Sequence, residues 1–271
     1  MSESWLATGK RRVGTVARKV FDQYSALRYL KERDVLAVSV IGLFDYMSIY
    51  VIIPFLPLFL DRMQVSPVMI GFIFAAEPLM MAVLSAPSGA LSDRIGRKAP
   101  IVVGTLVSGL SVFALGFAST ALVFILLRAI DGAAGALRAP ATQAYIGDRF
   151  PKEERGQAVS AHKTLKLSGV AIGPAFGGLV AARTGVSATF MLLGAITFVG
   201  SIVSWPLLQT SLPQRDAEGS DRNLLQSFSR AKLRQVASIP VISLAITSFV
   251  SALSIGAFEP ILRRIYSGAW I

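Results

Sequence analysis

Long apolar runs separated by short polar segments dominate the chain from residue 35 onward. Seven of them have the length of a membrane span: 35–60, 67–91, 99–119, 121–147, 164–183, 187–209 and 237–259. A helix that crosses about 30 Å of hydrocarbon at about 1.5 Å per residue needs about 20 mostly apolar residues. The pattern therefore predicts an all-α membrane protein with seven transmembrane helices.

The basic residues alternate between the links. Eight Lys/Arg lie in residues 1–34. Arg94, Arg97 and Lys98 follow the second run, and Arg149, Lys152, Arg155 and Lys163 follow the fourth. Arg215, Arg222, Arg230, Lys232 and Arg234 follow the sixth, whereas the other links hold only Arg62 and Arg183. Under the positive-inside rule the N-terminus and the even-numbered links are cytoplasmic. Arg263 and Arg264 fall on the outer side and are the one discord.

Four parts are expected. Residues 1–34 form a basic segment in which Val13, Val16, Ala17, Val20, Tyr24 and Leu27 recur at helical spacing. This fits either an amphipathic helix lying on an anionic leaflet or a frayed basic tail. Residues 35–209 hold six spans, 210–236 form a polar linker, and 237–271 hold the seventh span. Shifted by 206 positions, Val35, Ser48, Pro54 and Leu56 fall on Val241, Ser254, Pro260 and Leu262, as if a second repeat begins there.

Composition removes several functions. The net charge of +11 sits in short segments between apolar runs, which excludes a nucleic-acid surface. There is no cysteine, and His162 is the only histidine, so thiolate chemistry and a multi-His metal site are excluded. No nucleophile–base pair marks an enzyme, and no Gly-x-x-x-x-Gly-Lys-Ser/Thr loop marks an ATPase. No cofactor is expected. His162, at the start of a helix, reads as an ordinary solvated histidine.

The link after the second span reads Gly89-Ala-Leu-Ser-Asp93-Arg94-Ile-Gly96-Arg97-Lys98. It resembles the signature cytoplasmic loop of the major facilitator superfamily at nearly every position. Gly96 permits a tight turn, Asp93 suits a helix N-terminus, and Arg97 can hold a carboxylate. The resemblance implies a loop that latches a cytoplasmic gate, with Asp148 as the acid matching Arg97. The fifth span reads Gly169-Val-Ala-Ile-Gly173-Pro174-Ala-Phe-Gly177-Gly178 and resembles the family's antiporter motif. Pro54-Phe-Leu-Pro57 and Arg128-Ala-Ile-Asp131-Gly132 resemble two further motifs, with Asp131 replacing the usual glutamine.

The fold these motifs imply is a six-helix major-facilitator-type bundle plus a seventh helix. The implied function is proton-coupled export of small, amphiphilic molecules by alternating access in a cell membrane. The family pairs two six-helix halves, so the chain looks like the N-terminal half with the start of the second. The glycine face of the fifth span and Asp93 would then lie bare for a missing C-terminal half or a second copy. A half-transporter inactive on its own is the alternative, and a seven-helix receptor is disfavoured by the signature loop.

Asp45, Glu77, Arg128, Asp131 and Arg138 lie inside apolar runs. A charge at a helix centre costs about 2.5–3.5 kcal/mol on the insertion scale, so these residues should face the bundle interior or water. A carboxylate there can take up and release a proton, which proton-coupled exchange requires. Asp45 is the favoured proton or cation site, with Glu77 next. Arg128 and Asp131, three apart on one helix face, form a structural or gating pair.

Overall fold

The computed structural model describes residues 27–209, which fall within one compact unit. The N-terminal amphipathic segment up to residue 26, the linker and the seventh span lie outside the described residues. A 3-10 turn, Leu27–Lys31, leads into six helices: α1 (Arg33–Arg62), α2 (Pro67–Ile95), α3 (Lys98–Leu115), α4 (Ala121–Arg149), α5 (Lys152–Thr184) and α6 (Val186–Leu207). No strand occurs among the described residues.

Local chemistry sets the helix ends. Ser66 Oγ accepts from the Met69 amide at the start of α2, and Thr120 Oγ1 from Val123 at the start of α4, both at 3.4 Å. Gly96 and Gly185 take φ of +90° and +86°, so the chain reverses over one or two residues between α2 and α3 and between α5 and α6. The α5 helix begins twelve residues before its apolar run. Pro151 precedes it, and Glu153 and Glu154 sit in its first turn, where the helix dipole favours anions. Hydropathy marks only the part at lipid depth, and the helix continues into polar surroundings.

Five of the helices, all but α4, are long and apolar enough to cross a membrane. The α4 helix is 29 residues long but carries Arg128, Asp131 and Arg138 in its middle. Its neighbours bury those charges. It packs on α2 and α3, while α1 packs on α5 and α6, and α3 on α6. Moving each helix three places along the chain reproduces the same scheme: α2–α4 becomes α5–α1, and α3–α4 becomes α6–α1.

Two apolar clusters lie at opposite ends of the bundle. One gathers Val51, Ile52, Leu56, Leu60, Phe124 and Phe190. The other gathers Val38, Ile101, Ala141, Tyr145 and Ala158. Along α1 and α4, Asp45, Arg128, Asp131 and Arg138 fall between them. Outward-facing Leu110, Leu122, Leu126, Val199 and Val203 supply the apolar surface that lipid requires.

Glycines set the helix spacing. At Gly132 of α4 a Cβ would overlap the Glu77 backbone of α2. Gly109 of α3 and Gly194 of α6 face each other reciprocally, Gly109 against Phe198 and Gly194 against Phe113. Gly169, Gly173 and Gly177 of α5 meet Leu43, Met47 and Val51 of α1. This corrects the expectation of a bare glycine face. The three glycines are buried inside the same six-helix unit, and their small size lets α5 approach α1.

Gly173→Ala should therefore lower stability by about 1–3 kcal/mol, because its Cβ would stand 2.8 Å from the Met47 carbonyl oxygen. Gly200→Ala, with open space around it, should change stability by less than about 0.5 kcal/mol. Thermal unfolding in detergent measures both.

Candidate functional site

The charges midway along the bundle form two groups, which also act on each other electrostatically. In the first, Arg128 of α4 lies between two carboxylates. It pairs with Glu77 of α2, and its Nη1 stands 3.3 Å from Asp131 Oδ2 one turn along α4. Ser108 of α3 donates to the other Asp131 oxygen at 2.6 Å. Arg128 and Asp131 are buried, and Glu77 nearly so. Arg128 Nε has no hydrogen-bond partner among the described residues. With all three side chains ionised, the group carries one negative charge in excess, and uptake of one proton balances it.

The second group lies between α1, α4 and α5. Asp45 Oδ1 and Arg138 Nη2 are 2.7 Å apart, and both side chains are largely buried. They line a cavity of about 210 Å³ together with Thr142, His162 and Lys166. The Lys166 ammonium sits 4.1 Å from the centre of the Tyr46 ring, a cation–π contact that holds it against the wall. Asp45 is thus matched one to one by a guanidinium, whereas Glu77 and Asp131 share one.

His162 corrects the sequence expectation of a solvated side chain. It is 5% exposed, with Nδ1 3.1 Å from Ser39 Oγ of α1. It is buried because α5 starts early, so residue 162 lies ten residues into a helix that already packs on α1.

The signature loop forms a third group, at one end of the bundle. Arg97 Nε is 3.3 Å from Asp148 Oδ2 at the end of α4, its Nη1 donates to Ser92 Oγ at 3.3 Å, and it pairs with Asp93. Arg97 is buried, whereas the Asp93 side chain is 62% exposed. Asp93 thus pairs with Arg97 four residues on while most of its side chain stays exposed. Gly89 lies on α2 with open space at its Cβ position, and Lys98 Nζ lies 4.8 Å from the Trp205 ring centre. Arg94 is exposed on the last turn of α2. On α5, Pro174 is exposed, and a Cβ at Gly178 would touch only the Phe55 ring.

A fourth group was not anticipated. Asp34, 3% exposed at the start of α1, accepts from Tyr145 Oη at 2.9 Å and pairs with Arg149 Nε at 2.6 Å. Its other oxygen accepts from the Val35 amide. The Gln209 amide donates to the same Tyr145 oxygen, which ties the end of α6 to α1 and α4. Lys166 was missed because it lies inside the fifth run, 164–183, just past Lys163, the last charge counted with the preceding link. Its spacing of four from His162 is the signal that places both on one face.

Comparison with known proteins follows the same lines. A family model described as the Major Facilitator Superfamily matches residues 38–267. "Multidrug resistance protein 2" of Bacillus subtilis (strain 168) is 28% identical over 217 residues, covering 80% of this chain and 54% of its own length. "Multidrug resistance protein MdtG" of Yersinia enterocolitica is 28% identical over 224 residues, covering 78% and 51%. The chain spans about half the length of the curated relatives it matches. A bacterial homolog to the human lysosomal transporter Spinster, solved inward-facing and unoccupied, superposes with a TM-score of 0.59 at 17% identity. That match covers 76% of this chain and 49% of the Spinster homolog, and it shows the shared fold.

The first charge group yields a stability prediction. Arg128→Met leaves two buried carboxylates without their cation and should cost about 3–5 kcal/mol. Adding Glu77→Gln and Asp131→Asn to that variant should recover most of the loss. Denaturant unfolding of the purified protein measures the difference.

Proposed function

The chain belongs to the Major Facilitator Superfamily, and on that premise we propose that it exports small amphiphilic molecules in exchange for protons. The observation that carries this reading is the buried Glu77–Arg128–Asp131 group. Two carboxylates share one guanidinium in a low-dielectric interior, where an unbalanced charge is costly. A proton entering this group balances it, and its departure restores the excess. The group joins α2, α3 and α4, so its charge state bears on how those helices hold together. Asp45, whose charge Arg138 already matches, is a substrate-side residue on this reading.

Drug-like cargo is supported by the two curated relatives, both named as multidrug resistance proteins. The antiporter-like run from Gly169 to Gly178 supports exchange. The excess of Lys and Arg on the even-numbered links supports a cytoplasmic N-terminus, and with it the reading of the Arg97–Asp148 contact as part of a cytoplasmic gate. Alternating access rocks two units about a central site. Residues 27–209 supply one, and a further six-helix unit, in the same chain or a second copy, supplies the other.

Efflux from cells or vesicles containing the protein tests this. A panel of amphiphilic antimicrobials identifies a compound that is extruded, and a protonophore then collapses the proton gradient. Efflux should stop, and Glu77→Gln and Asp131→Asn should each slow it at least tenfold. Efflux that survives gradient collapse, or that both variants leave unchanged, would refute proton exchange through this group.

A further inference from the structure

The cavity between α1, α4 and α5 has a charge imbalance opposite to that of the Glu77 group. Among the described residues that line it, Asp45 is the only acid, whereas Arg138, Lys163 and Lys166 are all basic. A monovalent cation entering there meets a surplus of like charge. An anion meets a surplus of partners.

The geometry of Arg138 sharpens this. A guanidinium presents a planar fork that suits two oxygens at once. Asp45 engages Nη2 at 2.7 Å, while Nη1 is buried and has no hydrogen-bond partner among the described residues. Half of the fork therefore has no oxygen partner among the described residues. The Lys166 ammonium, seated on the Tyr46 ring, lines the same cavity, as does the Thr142 hydroxyl. Val38, Ile41 and Leu167 supply apolar lining beside these donors. The volume of about 210 Å³ fits one small ring carrying one acidic group.

We propose that this cavity binds the anionic group of the transported molecule, a carboxylate or a phosphate ester, with Arg138 and Lys166 as its donors. The proposal rests on the transporter reading above and adds a substrate class to it: amphiphiles with an acidic head. Asp45 is the internal competitor, occupying part of Arg138 and keeping it oriented until the substrate arrives.

Binding to the purified protein in lipid nanodiscs tests this without any transport step. The probes are benzoate, phenyl phosphate and phenyltrimethylammonium, which share one ring and differ in head group. Calorimetric titration should show both anions binding and the cation not competing. Lys166→Gln and Arg138→Gln should each weaken anion binding at least tenfold, and Asp45→Asn should strengthen it several-fold by freeing the second half of the fork. Lys166→Gln breaks no ion pair among the described residues, so it keeps the test valid if Arg138→Gln fails to fold. Equal anion binding by wild type and Lys166→Gln, or tighter binding of phenyltrimethylammonium than of either anion, would overturn the proposal. Because the titration needs no transport, its failure leaves gradient-driven efflux untouched. Conversely, a protein that binds the anions but moves nothing counts against the transporter reading alone.

Discussion

Charge cannot be left facing hydrocarbon, and α4 is where this chain meets that constraint. Arg128, Asp131 and Arg138 lie in the middle of a helix that is longer than the hydrocarbon core is thick, at about 1.5 Å of rise per residue. Each would cost about 2.5–3.5 kcal/mol at the centre of a lone span. The bundle offsets this by turning each toward a different neighbour. Arg128 reaches α2 through Glu77, Asp131 reaches α3 through Ser108, and Arg138 reaches α1 through Asp45. At the end of the same helix, Asp148 reaches Arg97, and Arg149 and Tyr145 reach Asp34. The helix least suited to lipid is thus the one that ties the others together.

Those ties need close helices, and close helices need small residues. Gly132 lets the α4 backbone lie against that of α2 at Glu77, the residue that pairs with Arg128. Gly104 sits against the Ala134 carbonyl oxygen of α4, where a Cβ would stand 2.8 Å away. Gly169 and Gly173 bring α5 against α1 beside Met47, two residues from Asp45. Glycine placement and charge placement are therefore one design: the first sets the spacing that the second spans. The outcome is two polar sites of opposite excess inside one bundle, acidic between α2, α3 and α4, and basic between α1, α4 and α5.

Much of the fold was legible in the sequence because lipid imposes simple rules. Run length located six helices, and the resemblance of the signature loop anticipated the contact of Arg97 with Asp148. The fifth span was read as starting near residue 164, yet the helix begins at Lys152, since apolar length reports depth in lipid rather than helix length. Periodicity grouped Gly169, Gly173 and Gly177 on one face, but it carries no information on which helix that face meets. For the same reason His162 read as solvated, and the Lys166–Tyr46 contact went unseen. Asp45 was singled out as an intramembrane acid, while its pairing with Arg138, 93 positions away, exists only in the folded bundle. Asp34 fell at the edge of an apolar run and carried no signal until Tyr145 and Arg149 came beside it.

The central claim is that α4 crosses the bilayer despite its internal charges, because its neighbours neutralise them. The chain contains no cysteine, so single cysteines can be introduced without background. Ser119→Cys lies just before α4 and Lys152→Cys just after it. A membrane-impermeant thiol reagent applied to intact cells and to inverted vesicles reads the side on which each lies. Labelling of the two positions from opposite faces is the predicted result. Labelling of both from the same face would mean that α4 does not span, and the inward-turned charge network would lose its reason to exist.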